Sequence, residues 1–182
     1  MYLPILSPDD APAESRDILD GIRRDLGVVP NLAATAAASP ALLAGFDGLR
    51  RAVGSARLDP VLREVAGVAV GVAVDNRYGV AFHSTVLLGL GMPADDVAAM
   101  RAGRSPSAID AAAVFAFARE LVVERGKVGA DTLAAIAAAG LDDGAVLDVV
   151  AEASFASLVG VIDNLAGHVE LDGFLSAQRW PE

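Results

Sequence analysis

Helix start and stop signals punctuate this chain, and the apolar residues between them recur every three or four positions. Asp59-Pro60 is a typical helix start, while Gly27 and Gly91 each follow a run with helical periodicity. No segment alternates polar and apolar residues with the β-branched enrichment of a strand. The sequence therefore predicts an all-α protein, a bundle of about eight helices.

Small side chains dominate the apolar part of the composition. Hydrophobic residues make up 54% of the 182 residues, yet only 5% are aromatic. Small side chains let helix axes approach closely. The predicted linkers are short, so we expect a single helical domain over residues 1–182 with an irregular tail from about residue 169.

The absence of cysteine and the net charge exclude several classes of function. With no cysteine, the chain cannot form a disulfide, a thiolate metal site or an iron–sulfur cluster. The formal net charge of −10 disfavours nucleic acid and anionic membranes as partners. The longest apolar runs, 65–74 and 153–162, are shorter than the ~20 residues that span a bilayer, and the N-terminus lacks a basic secretion signal. We therefore expect a cytoplasmic protein.

Two polar residues stand out in the most apolar helices. Glu64 lies near the start of the helix predicted over 60–74, and His83 lies within the helix predicted over 78–90. Glu64 has an ordinary interpretation as a helix-start carboxylate paired with Arg63, and His83 has one as a hydrogen-bonded core residue. Alternatively, the two side chains meet across the helix seam as an acid/base pair.

A simple hairpin does not bring these two residues together. Glu64 lies about twelve residues before the break at 75–77 and His83 about six after it, which leaves an axial offset of ~9 Å. Contact therefore requires a wider connection, a bend or a crossing angle.

The spacing of Glu64, Tyr78, His83 and Gly91 resembles the alkylhydroperoxidase D / carboxymuconolactone decarboxylase superfamily, with the motif region at about 59–92. The segments at 30–31 and 163–167 also resemble its longer, peroxidase-related members. The resemblance implies an oligomeric all-α fold (a dimer, trimer or hexamer) in which Glu64 and His83 meet as the catalytic pair. It also implies that residues 76–79 form part of the substrate site.

The peroxidase branch of that superfamily carries Cys-x-x-Cys, but Asn76 and Gly79 occupy the two cysteine positions here. Neither can attack a peroxide or form a disulfide. The decarboxylase branch needs no cysteine. In that interpretation His83 is the general acid and Arg77 pairs with a substrate carboxylate. Tyr78 either donates a hydrogen bond from the wall of the site or packs as an aromatic residue.

Three hypotheses remain open from the sequence. The first is a cysteine-independent acid/base enzyme on a small organic acid or lactone-like metabolite, with Glu64 and His83 as catalytic residues and Asn76, Arg77, Tyr78 and Gly79 as substrate-binding residues. The second is a non-catalytic helical oligomer that binds a small molecule or a partner. The third is a peroxidase supplied with an external thiol. No metal-ligand cluster is visible and no cofactor is expected.

Overall fold

The computed structural model describes residues 3–181, and this part of the chain contains nine α-helices, one 3₁₀ helix and no strand. The all-α prediction is confirmed, and its count of about eight helices is close to the nine observed. In chain order the helices are α1 (Ala13–Leu26), α2 (Asn31–Ala36), α3 (Pro40–Gly54), α4 (Pro60–Ala73), α5 (Arg77–Gly89), α6 (Ala94–Arg101), α7 (Ile109–Val123), α8 (Ala130–Ala138) and α9 (Asp143–Ala166), followed by the 3₁₀ helix Gly173–Gln178.

Side-chain caps fix the starts of the helices that build the centre of the molecule. The Asp59 carboxylate accepts hydrogen bonds from Val61 N and Leu62 N at the start of α4. Asp142 does the same for Ala145 N at the start of α9. These caps satisfy backbone donors that a helix leaves unpaired at its N-terminus.

Helix α4 runs through the middle of the bundle, and its residues from Glu64 to Gly71 are buried. It packs against α5, α7 and α9. One cluster of apolar side chains lies on the α7 side and includes Val68 and Phe115. A second lies towards α1–α3 and the C-terminal tail and includes Leu19 and Leu43. Helices α5 and α9 contribute to both clusters, so the boundary between the clusters lies along them.

The C-terminal tail, predicted to be irregular, contains the 3₁₀ helix Gly173–Gln178 and packs against the bundle. Its 3₁₀ helix buries Leu175 completely, and Trp180 Nε1 donates to Arg101 O at 3.0 Å. The Asp172 carboxylate accepts from Asn31 N and from the Tyr78 hydroxyl. All of these partners lie far away in sequence, so local periodicity does not predict how the tail packs.

Helix α9 is 24 residues long and carries an exposed apolar stripe. Its length and composition would allow it to cross a membrane, a property that it shares with core helices of soluble proteins. Leu147, Val161 and Leu165 are at least half exposed. Positions 147, 151, 154, 158, 161 and 165 follow one face in alternating steps of four and three residues, the spacing of a coiled-coil seam. Ser154 is polar, and Leu158 is partly buried against the core.

Candidate active site

Glu64 and His83 meet in the interior of the bundle. The Glu64 Oε2 atom lies 2.7 Å from His83 Nδ1, within hydrogen-bond distance. Both residues are buried, with 4% and 7% of their surfaces exposed. The predicted contact between the two side chains is therefore observed, and it is direct.

Glycines on α4 explain why the hairpin offset closes. A Cβ at position 67 would lie 2.3 Å from His83 Cε1, and one at position 71 would lie 2.9 Å from the Val80 side chain. Gly67 thus lies opposite His83 and Gly71 opposite Val80, which centres the hairpin near residue 75 rather than 76. Glu64 is then only three residues beyond Gly67, about 4.5 Å along the axis, and its side chain spans that distance.

Arg63 also pairs with Glu64, as the ordinary interpretation of this helix-start carboxylate predicts. Its Nε and Nη2 atoms both lie 3.0 Å from Glu64 Oε1. Each oxygen of the Glu64 carboxylate therefore has its own partner, Arg63 at Oε1 and His83 at Oε2. A buried carboxylate paired in this way avoids most of the cost of desolvating an isolated charge.

The sequence analysis missed a second acidic residue, Glu152 on α9. Its Oε1 atom lies 3.6 Å from His83 Nε2, on the opposite edge of the ring from Glu64. Glu152 is 2% exposed, and no group of residues 3–181 donates a hydrogen bond to Oε1. One signal could have found it, because Glu152 is the single charged residue between Val149 and Ile162.

The three titratable groups shift one another's pKa values in a consistent pattern. Burial raises the pKa of Glu64, but the hydrogen bond and charge of His83, with Arg63, outweigh it and hold the pKa below its usual value. Burial lowers the pKa of His83, but Glu64 and then Glu152 outweigh it and the net pKa is raised. Burial raises the pKa of Glu152 to about 7. Glu64 is therefore ionised at neutral pH, the imidazolium form of His83 is stabilised relative to that of a free histidine, and Glu152 titrates at about pH 7.

A cavity of about 270 Å³ opens beside this cluster. Glu64, His83 and Glu152 all lie in its wall, together with Arg63 and Arg50. The rest of the lining is mainly apolar and includes Leu26, Pro30, Leu32, Phe46, Val53, Phe82, Val86, Phe155 and Val159. The arrangement supplies an imidazole, flanked by two carboxylates, to a small and mostly apolar space.

Of the four predicted substrate-binding residues, Tyr78 and Gly79 line the cavity. The Tyr78 hydroxyl, however, donates to Asp172 in the tail, and burial followed by Asp172 raises its pKa. Tyr78 therefore offers the cavity its ring. The substrate-binding role of these residues stays a prediction.

Asn76 and Arg77 lie outside the lining of the cavity, and their predicted contact with substrate stays a prediction. The Asn76 side chain is buried and caps α5 by accepting from Gly79 N at 2.8 Å. The Arg77 backbone N–H donates to the buried Asp163 carboxylate, and its guanidinium lies 4.0 Å from Asp75. This cap fixes the start of helix α5 at Arg77, six residues before His83.

The cluster does not form a metal site. Among the described residues, no group of three His, Cys, Asp or Glu side chains could hold a metal ion. Glu64 and Glu152 flank opposite nitrogens of the same ring, so the three groups do not converge on one point. The other histidine, His168, lies 3.1 Å from Asp163 at the end of α9 and stays outside the cavity lining.

Comparison with known proteins supports the predicted resemblance. Residues 40–120 match the carboxymuconolactone decarboxylase family, a span that includes Glu64 and His83 but not Glu152. No curated protein sequence matches the chain.

Solved structures share the fold over nearly the whole chain. A peroxidase-related protein with an alkylhydroperoxidase AhpD core from Ralstonia eutropha JMP134 is 21% identical, with a TM-score of 0.81 over 98% of this chain and 96% of that one. The debrominase Bmp8 in complex with 2,3,4-tribromopyrrole is 16% identical, with a TM-score of 0.78 over 98% and 95%. A peroxidase-related protein from Silicibacter sp. TM1040 is 16% identical, with a TM-score of 0.78 over 98% and 94%. The chain therefore has the alkylhydroperoxidase D-like fold.

Proposed function

Because residues 40–120 match the carboxymuconolactone decarboxylase family in a chain without cysteine, we propose a cysteine-independent acid/base enzyme. Its substrate is a small organic acid or a lactone-like metabolite. His83 is the group that transfers the proton, through Nε2. Glu64 orients the ring through Nδ1 and favours its protonated form.

This proposal rests on one observation. The buried imidazole of His83 has one nitrogen hydrogen-bonded to the Glu64 carboxylate, and His83 also lines a cavity. The 2.7 Å contact with Glu64 fixes Nδ1 and leaves Nε2 for chemistry. The raised pKa of His83 favours its protonated form, which is the form that acts as a general acid. Protonating a carbanion or enolate is the step that decarboxylation and enol–keto conversion share.

Thiol chemistry does not fit the residues at the two cysteine positions. Asn76 is committed to capping α5, and a Cβ on Gly79 would lie 2.2 Å from Asn76 Nδ2. The similar fold of a debrominase and of peroxidase-related proteins supports a scaffold that hosts more than one chemistry.

Arg63 replaces Arg77 as the candidate partner for a substrate carboxylate. It lines the cavity, and its ion pair with Glu64 uses Nε and Nη2. A guanidinium has five N–H donors in a planar fork, so donors remain for a second carboxylate.

The test is proton exchange rather than one named reaction. A panel of small lactones and β-keto acids is followed by proton NMR in D₂O with wild type and His83→Asn. We expect deuterium incorporation or decarboxylation with at least one compound, and a loss of about 10²-fold or more in His83→Asn.

The second histidine provides the matched control. His168→Asn makes the same chemical change away from the cavity, at a residue whose φ of 70° asparagine tolerates well. His168→Asn should retain the wild-type rate. Equal rates for His83→Asn and wild type would refute the role of His83.

The alternative is a non-catalytic helical oligomer that binds a small molecule or partner. The side chain of His83 is only 9% exposed, and an exposed apolar stripe runs along α9, both of which suit a binding protein. In that case the panel shows ligand binding without exchange. External-thiol peroxidase activity is the less favoured third candidate.

A further inference from the structure

Two polar atoms, His83 Nε2 and Glu152 Oε1, face each other beside the cavity. They lie 3.6 Å apart, beyond the range of a direct hydrogen bond. Glu152 is 2% exposed and lies in the wall of the cavity, and its Oε1 atom accepts no hydrogen bond from residues 3–181. An unsatisfied buried polar atom destabilises the fold, so its retention beside a cavity points to a ligand atom as its partner.

The number of protons on His83 Nε2 and Glu152 Oε1 determines which kind of ligand atom can hydrogen-bond to both. Glu64 and Arg63 balance each other's charge, so one further proton on either Nε2 or Oε1 leaves the cluster neutral. Whichever atom carries that proton, the pair presents one donor and one acceptor to the ligand. A hydroxyl is both a donor and an acceptor and satisfies both atoms. A carboxylate only accepts and is repelled by an ionised Glu152, while an ammonium group only donates.

The lining and the volume of the cavity indicate the size and polarity of the rest of the ligand. The rings of Phe46, Phe82 and Phe155 line it, and Phe46 and Phe155 lie with their centroids 5.2 Å apart. Its volume of about 270 Å³ is below the ~300–1,000 Å³ of sites for drug-sized ligands. A single flat, apolar ring suits this space.

We propose that His83 Nε2 and Glu152 Oε1 form a subsite for the hydroxyl of a small flat enol or phenol, with Glu152 as a second catalytic residue. This inference rests on the proposed function and narrows its substrate class to molecules that enolise or carry a phenolic hydroxyl. The hydroxyl bridges the 3.6 Å gap that the two side chains do not close themselves.

The bridging hydroxyl moves a proton without changing the charge of the site. The N–H bond of His83 Nε2 breaks as that proton joins the ligand oxygen, and the original ligand O–H bond breaks as its proton joins Glu152 Oε1. The imidazolium and carboxylate become imidazole and carboxylic acid, and the reverse transfer restores them. The pKa of Glu152, raised to about 7 by burial, makes its carboxylic acid form accessible near neutral pH.

Binding of a matched pair of probes tests the subsite. The probes are 4-methylphenol and 4-methylanisole, which share the ring and differ by replacement of the hydroxyl hydrogen with a methyl group. Phenols have a pKa of about 10, so 4-methylphenol is neutral at pH 7. We expect wild type to bind 4-methylphenol at least tenfold more tightly by calorimetry.

Two variants assign that preference to Glu152. Glu152→Leu keeps a side chain of similar size without polar atoms, and we expect its preference for the phenol to fall to about threefold or less. Glu124→Leu, at the exposed end of α7, is the matched control and should keep the wild-type preference. Unfolding curves for both variants confirm that they fold.

The outcomes separate this inference from the proposed function. Equal affinity for the two probes in wild type, no binding of the phenol, or an undiminished preference in Glu152→Leu would each overturn the hydroxyl subsite. Binding requires no turnover, so a hydroxyl preference without His83-dependent exchange would leave the subsite standing while the enzyme proposal fails. Exchange without a hydroxyl preference would do the reverse.

Discussion

The imidazole of His83 lies directly against the backbone of Gly67, where a Cβ would come within 2.3 Å of the ring. Glycine at this position therefore lets the ring reach Glu64, which lies one helical turn away on the same face of α4. The acid/base pair depends on a residue that carries no chemistry of its own.

Gly67→Ala should displace the His83 ring and break its hydrogen bond to Glu64. Overpacking of this kind costs about 1–3 kcal/mol of unfolding free energy. Loss of the Glu64 contact should also lower the pKa of His83, because Glu64 is what raises it. Chemical denaturation measures the first effect, and NMR titration of the two histidines measures the second.

Gly45→Ala on α3 is the control for that change, since nothing lies within 4 Å of the added Cβ. In a helix interior this substitution should stabilise the fold by up to about 1 kcal/mol. An unchanged His83 titration in Gly67→Ala would contradict the packing argument.

Glu152→Leu should stabilise the fold most strongly at high pH. Burial raises the pKa of Glu152 from 4.5 to about 7, despite the opposing charge of His83. The folded state therefore binds the Glu152 proton more tightly than the unfolded state. The stabilisation from this tighter proton binding is fully present below about pH 4.5 and is lost as the pH rises through about 7. Its loss lowers the free energy of unfolding by about 3 kcal/mol.

Urea denaturation of wild type and Glu152→Leu at about pH 5 and pH 8 measures this difference. The advantage of the variant should grow by about 2–3 kcal/mol between the two conditions. Glu124→Leu, exposed at the end of α7, should show no such growth. The same small advantage for Glu152→Leu at both pH values would refute the assignment of a buried, proton-exchanging Glu152.

The sequence placed Glu64 and His83 on consecutive helices because these helices have clear start and stop signals. Its hairpin estimate failed by about three residues of register, since periodicity does not show that Gly67 and Gly71 let α5 approach α4. The direct contact followed from the resemblance rather than from the local pattern.

The sequence did not predict a role for Glu152, because only tertiary packing brings this residue to the site. It lies 69 positions after His83, on a helix whose crossing over α4 and α5 no local pattern reveals. For Asn76 and Arg77, motif spacing did not reveal the local structural role. Their motif spacing suggested substrate contacts, whereas the Asn76 side chain caps α5.

Wild type should not turn over organic hydroperoxide with a dithiol reductant. The chain has no cysteine, and the Asn76 amide is hydrogen-bonded to Gly79 N. Consumption of hydroperoxide by purified protein is compared with that of heat-inactivated protein. Steady turnover above this control would revive the external-thiol hypothesis.

We also expect a homo-oligomer formed through the stripe on α9, with a second copy of the chain as the partner. The stripe alternates steps of four and three residues, so two copies can interlock along it as in a coiled coil. Val161 is 63% exposed in the single chain and lies in this stripe. Val161→Glu would bury a charge in the interface and should shift the protein to monomers.

Light scattering at micromolar concentration measures the mass of wild type, Val161→Glu and a control, Leu133→Glu. Leu133 on α8 is 48% exposed but lies outside the stripe, so this variant should keep the wild-type mass. The choice of α9 follows from its exposed apolar side chains, Leu147, Val161 and Leu165. A wild-type monomer, or a Val161→Glu variant with the wild-type mass, would show that this face does not join two copies. Sedimentation of wild type with lipid vesicles would then point to a membrane surface as the partner of α9.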